Sequence, residues 1–136
     1  MNLPELKIGK LVAQVPIIQG GMAIRLSTAP LAAAVANEGG IGLNAASGMG
    51  LDELRKASRM ARELTGGKGI IGINAMVAAR QFLDLITTAA EEGIDLIVAG
   101  AGFSRDIFAV GRRYGVEVVP IVSSARLAQT AEKLGA

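Results

Sequence analysis

The sequence predicts a parallel α/β fold, in which strands covered on both faces alternate with crossover helices. Three observations carry that expectation. Short apolar runs recur at intervals of roughly 25 to 30 residues, each followed by a stretch with helical periodicity. The runs are nearly continuous in apolar residues rather than alternating, as in strands that face water on neither side. Each helical stretch then ends at glycine, at Gly39, Gly66, Gly93, Gly115 and Gly135.

The first run is Val15 to Ile18, with Pro16 tolerable only near the start of a strand. Gln19, Gly20 and Gly21 follow at once, and a glycine pair there lets the backbone approach a ligand with no Cβ in the way. Taken alone, such a segment is an ordinary turn. Ser27 to Glu38 then carries Leu31, Ala32, Val35 and Ala36 at helical spacing, with Pro30 in the first turn. Ile41 to Asn44 is the second strand, and Ala45 to Gly50 a loop of small residues. Asp52 and Glu53 place acid at a helix start, and Leu54, Ala57, Ala61 and Leu64 form its expected buried face.

Ile70 to Asn74 is the third strand. The helix from Ala79 to Glu92 has the clearest period, with Phe82, Leu85, Ile86, Ala89 and Ala90 on one side. Ile94 to Ala99 makes a fourth strand, and Gly100-Ala101-Gly102 its loop. Ser104 is the expected N-cap of the helix running to Tyr114. Val116 to Val122 is the fifth strand, and a last helix from about Ser124 turns Leu127, Ala128, Ala131 and Leu134 inward. Nothing divides the chain, so residues 1–136 read as one domain.

Composition excludes several functions. With 51% apolar and 19% charged residues the chain is globular. A net charge of +2, with Arg105, Arg112, Arg113 and Arg126 spread over helices, gives no nucleic-acid surface. Charged residues interrupt every apolar run before the length a membrane span needs. The opening MNLPELKIGK lacks the apolar core of a signal peptide, so a cytoplasmic location is expected. Cysteine and histidine are both absent. That excludes disulfides, thiolate nucleophiles, the usual zinc sites and imidazole bases from this chain; no metal site is expected.

Two architectures share the pattern: an open doubly wound sheet and a (β/α)8 barrel. The dinucleotide fingerprint is missing, because Gly100 and Gly102 lead to Arg105 and Gly40 and Gly42 to Ala45. Gly67-Lys68 has no glycine five places earlier, so there is no phosphate-binding P-loop either. What remains is a glycine or polar residue after each strand, as on a barrel's ligand-binding rim.

VPIIQGGMA, NEGGIGLNAASG, GINAM, IVAGAG, and VEVVPIVSS with RLAQTAEKLGA occur in that order along the whole chain. Together they resemble successive segments of the nitronate monooxygenases, formerly called 2-nitropropane dioxygenases, whose fold and motifs are shared by the FMN-dependent enoyl-acyl-carrier-protein reductases. The resemblance implies an α/β fold of the TIM (β/α)8-barrel type, with the first five βα units present, and FMN as cofactor. It places the first flavin loop on Gly20, Gly21, Met22 and Ala23, and an FMN-contacting asparagine on Asn74. Ala99, Gly100 and Ala101 fall at the mouth after the fourth strand, and Ser123 near the substrate.

The types at those positions suit a flavin, since a terminal amide offers both a donor and an acceptor to the ring's pyrimidine edge. Backbone N–H groups favour the negative charge that reduction brings. Without the family, Asn74 reads as a strand-end turn residue, Ser123 as a helix N-cap and Met22 as a core filler. The resemblance implies a monooxygenase flavoprotein that oxidises alkyl nitronates with oxygen; the alternatives are reduction of an enoyl thioester with a nicotinamide cofactor, or a non-catalytic barrel fragment. The family's AGGH-like segment with its histidine, and its phosphate loops, have no counterpart in this sequence, so no catalytic residue is assigned and the chain alone is expected to be inactive. Five strands of eight would also leave two open edges, at Ile17-Ile18 and at Val116 to Val122, and self-association through them is expected.

Overall fold

The structure is a computed structural model and describes residues 3–136. Met1 and Asn2, part of the expected domain 1–136, lie outside the described residues. The chain opens with a two-stranded hairpin, β1 (Leu6–Ile8) and β2 (Leu11–Ala13). Helices α1 (Ala29–Asn37), α2 (Leu51–Leu64), α3 (Phe82–Glu91), α4 (Asp106–Tyr114) and α5 (Ala125–Leu134) alternate with strands β3 (Ile41–Ala45), β4 (Ile70–Met76), β5 (Leu96–Gly100) and β6 (Glu117–Pro120). The four later strands form one parallel sheet in the order β3-β4-β5-β6. The expected parallel α/β class is therefore what the chain adopts.

The expected first strand is the exception. Val15 to Ile18 makes only a single parallel bridge to β3, Ile18 to Ile41, held by Ile41 N donating to Ile17 O and Gln19 N donating to Ile41 O, both at 2.9 Å. A tight turn centred on Pro16, in which Ile17 N donates to Val15 O at 2.7 Å, interrupts the run before the bridge, and the glycine loop starts directly after it. The hairpin is the element that sequence reasoning missed. Gly9 turns it with φ 54°, a conformation that glycine adopts without Cβ strain.

Side chains alternate across the sheet and define two layers. Ile73, Ala75, Ile97, Ala99 and Val118 face the helices and share the main core with Leu54, Phe82, Ile86, Ile107 and Phe108. Ile41, Leu43, Leu96 and Val98 face the other way and pack against Leu6, Ile8, Leu11 and Ala13 of the hairpin. The hairpin thus covers the inner face at the strands' amino ends. It is tied to β6 by Lys10 N donating to Glu117 Oε1 at 3.1 Å and by Lys10 Nζ donating to Gly115 O. Gly42 shows how tight the outer layer is, because a Cβ there would overlap the Ala32 carbonyl of α1.

Helix boundaries follow the sequence with local corrections. The buried stripe of α2 is Leu54, Ser58 and Ala61, continued by Thr65, while Leu64 is 50% exposed. The helix is turned one position from the expected Leu54-Ala57-Ala61-Leu64 face, and two polar residues enter the core side. α4 has Arg105 rather than Ser104 at its N-cap, although Ser104 Oγ still accepts from Asp106 N at 3.2 Å. α3 begins at Phe82 rather than Ala79, after a turn closed by Phe82 N donating to Ala79 O. A charged staple joins α2 to α3: Arg59 Nε donates to Glu92 Oε2 at 2.6 Å, and Arg55 donates to both Glu92 and Glu91 at 3.0 Å. Among the described residues, no helix is long and apolar enough to cross a membrane.

Candidate functional site

Parallel strands send all their carboxyl ends to one side, and there the inner face carries no hairpin. The segment after Ile18 arrives at that side and is held by side chains at both ends. Gln19 Oε1 accepts from Leu43 N at 3.2 Å, while Gln19 Nε2 donates to Ser27 Oγ at 2.8 Å and to the Gly20 carbonyl. Ser27, fully buried at the foot of α1, donates from Oγ to Gly20 O at 3.1 Å and accepts from Met22 N at 2.8 Å. Residues 20–26 therefore form a loop with a fixed base and an exposed rim. Met22, Ile24 and Leu26 lie on that rim, Met22 being 47% exposed and so not a core filler.

Asn74 meets this loop from β4. Its neighbours in register are Ala45 and Val98, which sets it on the inner face near the strand ends. Asn74 Nδ2 donates to Gly21 O at 3.3 Å. Asn74 Oδ1 is buried and has no partner, an expensive state for an amide oxygen unless a ligand supplies the donor. A Cβ on Gly21 would overlap the Asn74 side chain, whereas one on Gly20 would meet nothing within 4 Å. Glycine is thus required at Gly21 for close approach, and Gly20 borders open space.

The remaining expected residues are placed less uniformly. Gly100 faces inward, its Cβ direction pointing at Ile121 Cδ1 at 3.0 Å. Ala101 is exposed and held at φ 54°, in the left-handed region that a side chain resists. Ala99 is 1% exposed and packs in the helix-facing core, and its carbonyl is used within the sheet, accepting from Ile121 N beside β6 at 2.7 Å. Ser123 is exposed beyond β6. The cap of α5 is its neighbour Ser124, whose Oγ accepts from Leu127 N at 3.2 Å, so the N-cap reading of Ser123 is corrected. The structure brings Gly20, Gly21 and Asn74 together; Ala99 is turned away from them.

Sequence reasoning missed Gln19 and Ser27 as members of the site. Their signal was two polar residues flanking the glycine loop, one of them at a helix start, where serine is commonplace. Ser47 was missed likewise: it is buried, and its Oγ accepts from Met76 N at 2.8 Å, which ties the loop after β3 to the end of β4. Among the described residues, no group of three or more carboxylates is placed to hold a metal ion. A concavity of about 550 Å³ lies at the opposite end of the sheet, between β2, α1 and the start of β4. It sits at the strands' amino ends, where parallel α/β proteins do not place their ligands.

Helices on the outer face of a parallel sheet, with a glycine loop and an unpaired amide oxygen at the strands' carboxyl ends, make the arrangement at which α/β proteins as a class place their ligands. The chain is a member of the nitronate monooxygenase family, whose model matches residues 5–136. This is an oxidoreductase family whose members depend on flavin. FabK from Thermotoga maritima superposes with a TM-score of 0.83 and 35% identity over 89% of this chain and 38% of its own. Its M276A mutant gives 0.82 and 35%, over 89% and 40% of the two chains. Nitroalkane oxidase from Streptomyces ansochromogenes matches at 0.79 with 22% identity, over 91% of this chain and 45% of its own, a likeness of fold alone. The chain spans less than half the length of these structures. Comparison with curated protein sequences gives no significant match.

Proposed function

We propose that the chain forms the ring-binding side of an FMN-dependent oxidoreductase of the nitronate monooxygenase type, on the first five βα units of a TIM barrel. The observation that carries this reading is the buried, unpartnered Asn74 Oδ1 beside Gly21. An amide acceptor at the edge of an open glycine loop fits the polar edge of a flat heteroaromatic ring, and the open space at Gly20 fits its plane. Bound FMN would supply the redox chemistry, taking two electrons from an alkyl nitronate and passing them to molecular oxygen. Within this chain, Asn74 orients the ring, Gly20 to Ala23 line it, and the loop Gly100-Ala101 bounds the mouth. Ser123 lies on the side where substrate would enter. A cytoplasmic location belongs to the same proposal.

A second reading keeps the cofactor and changes the substrate to an enoyl thioester, with a nicotinamide cofactor reducing the flavin. The 35% identity with FabK, an enoyl-acyl-carrier-protein reductase, favours it. The chain contains no histidine, so neither reaction can draw an imidazole proton from these residues. Oxygen uptake with a small nitronate and added FMN is therefore expected to stay at background for the chain alone. Turnover at the rate of an intact flavoenzyme would contradict that expectation. Nicotinamide oxidation with a crotonyl thioester, run alongside, separates the two substrates if either is turned over.

A further inference from the structure

We propose that Ser27, assisted by Gln19, is a positioning residue that sets the two peptide planes flanking Gly21, so that the Gly21 N–H faces the same side as the unpartnered Asn74 Oδ1. In a trans peptide the carbonyl and the following N–H point in opposite directions. The Gly20 carbonyl accepts from Ser27 Oγ at 3.1 Å and from Gln19 Nε2, which turns the Gly21 N–H away from Ser27. The next plane is reversed. Its carbonyl, Gly21 O, accepts from Asn74 Nδ2 at 3.3 Å, and its N–H, on Met22, donates to Ser27 Oγ at 2.8 Å.

The Ser27 hydroxyl has no bonding capacity left over. Its one hydrogen goes to Gly20 O, and its two lone pairs accept from Met22 N and Gln19 Nε2, in a site closed to water. Among the described residues the Gly21 N–H finds no protein acceptor, and Asn74 Oδ1 finds no donor. One hydroxyl thus leaves a matched donor and acceptor facing a ligand whose edge carries an acceptor beside a donor. The ligand's identity as FMN rests on the function proposed above; the peptide orientation does not.

The test uses the full chain in two arms. In the first, without ligand, amide hydrogen exchange is expected to show Met22 protected, and Ser27→Ala is expected to speed its exchange at least tenfold while Ile71 and Ile73 keep theirs. In the second, FMN is titrated. Ser27→Ala is expected to weaken FMN binding fivefold or more and to shift the visible absorption of the bound flavin. Gln19→Met, which leaves the Ser27–Met22 bond in place, is expected to give a smaller change in the same direction and serves if Ser27→Ala folds poorly. A Met22 amide already unprotected in the unaltered chain, or unchanged exchange in Ser27→Ala, would overturn the proposal. So would a variant that loses thermal stability but keeps the FMN dissociation constant and spectrum. Failure of the unaltered chain to bind FMN would count against the flavin reading, and the exchange arm would still decide the role of Ser27.

Discussion

At Ala101 the backbone holds an alanine at φ 54°, where a Cβ crowds the following carbonyl. Glycine relieves that crowding but is more disordered when unfolded, so Ala101→Gly is expected to gain about 0.5–1 kcal/mol net, read as a higher urea midpoint at unchanged slope. An equal or lower midpoint would mean that the loop relaxes out of the left-handed region in solution. Asn74 became a candidate through the resemblance alone, since an asparagine at a strand end reads by itself as a turn residue. Ser27 was not readable, since its partners Gly20, Met22 and Gln19 depend on the path of a loop that sequence spacing does not report. The inward or outward direction of a strand-end residue is equally hidden. Ala99 and Gly100 are adjacent in sequence yet face opposite layers, and only pairing with β4 and β6 shows which is which.

Among the elements, the α2–α3 staple is sensitive to acid through Glu92. Glu92 is held below the ordinary glutamate range, chiefly by the hydrogen bond from Arg59, with Arg55 adding to it against the opposing effect of burial. A carboxylate with a depressed folded-state pKa contributes stability that is present above its unfolded pKa and is lost as pH falls through the folded one. That stability should therefore fade from about pH 5 downward. Glu92→Gln is expected to lower stability at neutral pH and to flatten the acid limb of the denaturation midpoint against pH; an unchanged limb would assign the acid response to other carboxylates. The helices were the most readable elements, because an apolar period such as Phe82, Leu85, Ile86, Ala89 and Ala90 reports burial directly. Short strands carry less information. Leu6–Ile8 and Leu11–Ala13 are only three residues each, too few to display alternation, and Val15 to Ile18 has strand composition without a strand's ladder.

Across the whole molecule the sheet has two unsatisfied sides. Beyond β6 lies an apolar groove lined by Ile8, Val119, Pro120, Val122 and Ala128, and Ile121 is 59% exposed; on the other side Ile17 is 57% exposed. Edge strands with free backbone groups and bare isoleucines pair readily. We propose that the chain self-associates through these edges, so that sedimentation at micromolar concentration should show species larger than a monomer, reduced by Ile121→Lys. A compact monomer with cooperative unfolding would argue for a self-sufficient open sheet.

The most direct measurement is equilibrium titration of FMN fluorescence with the unaltered chain and with Asn74→Ala. Saturable quenching is expected for the first. The variant, losing one or two hydrogen bonds at about 0.5–1.5 kcal/mol each, is expected to bind roughly tenfold more weakly. Asn74→Asp should be weaker still with reduced flavin, because its charge opposes the anionic ring. The same dissociation constant for all three chains, or no saturable binding by the unaltered one, would contradict a flavin site at Asn74 and Gly21.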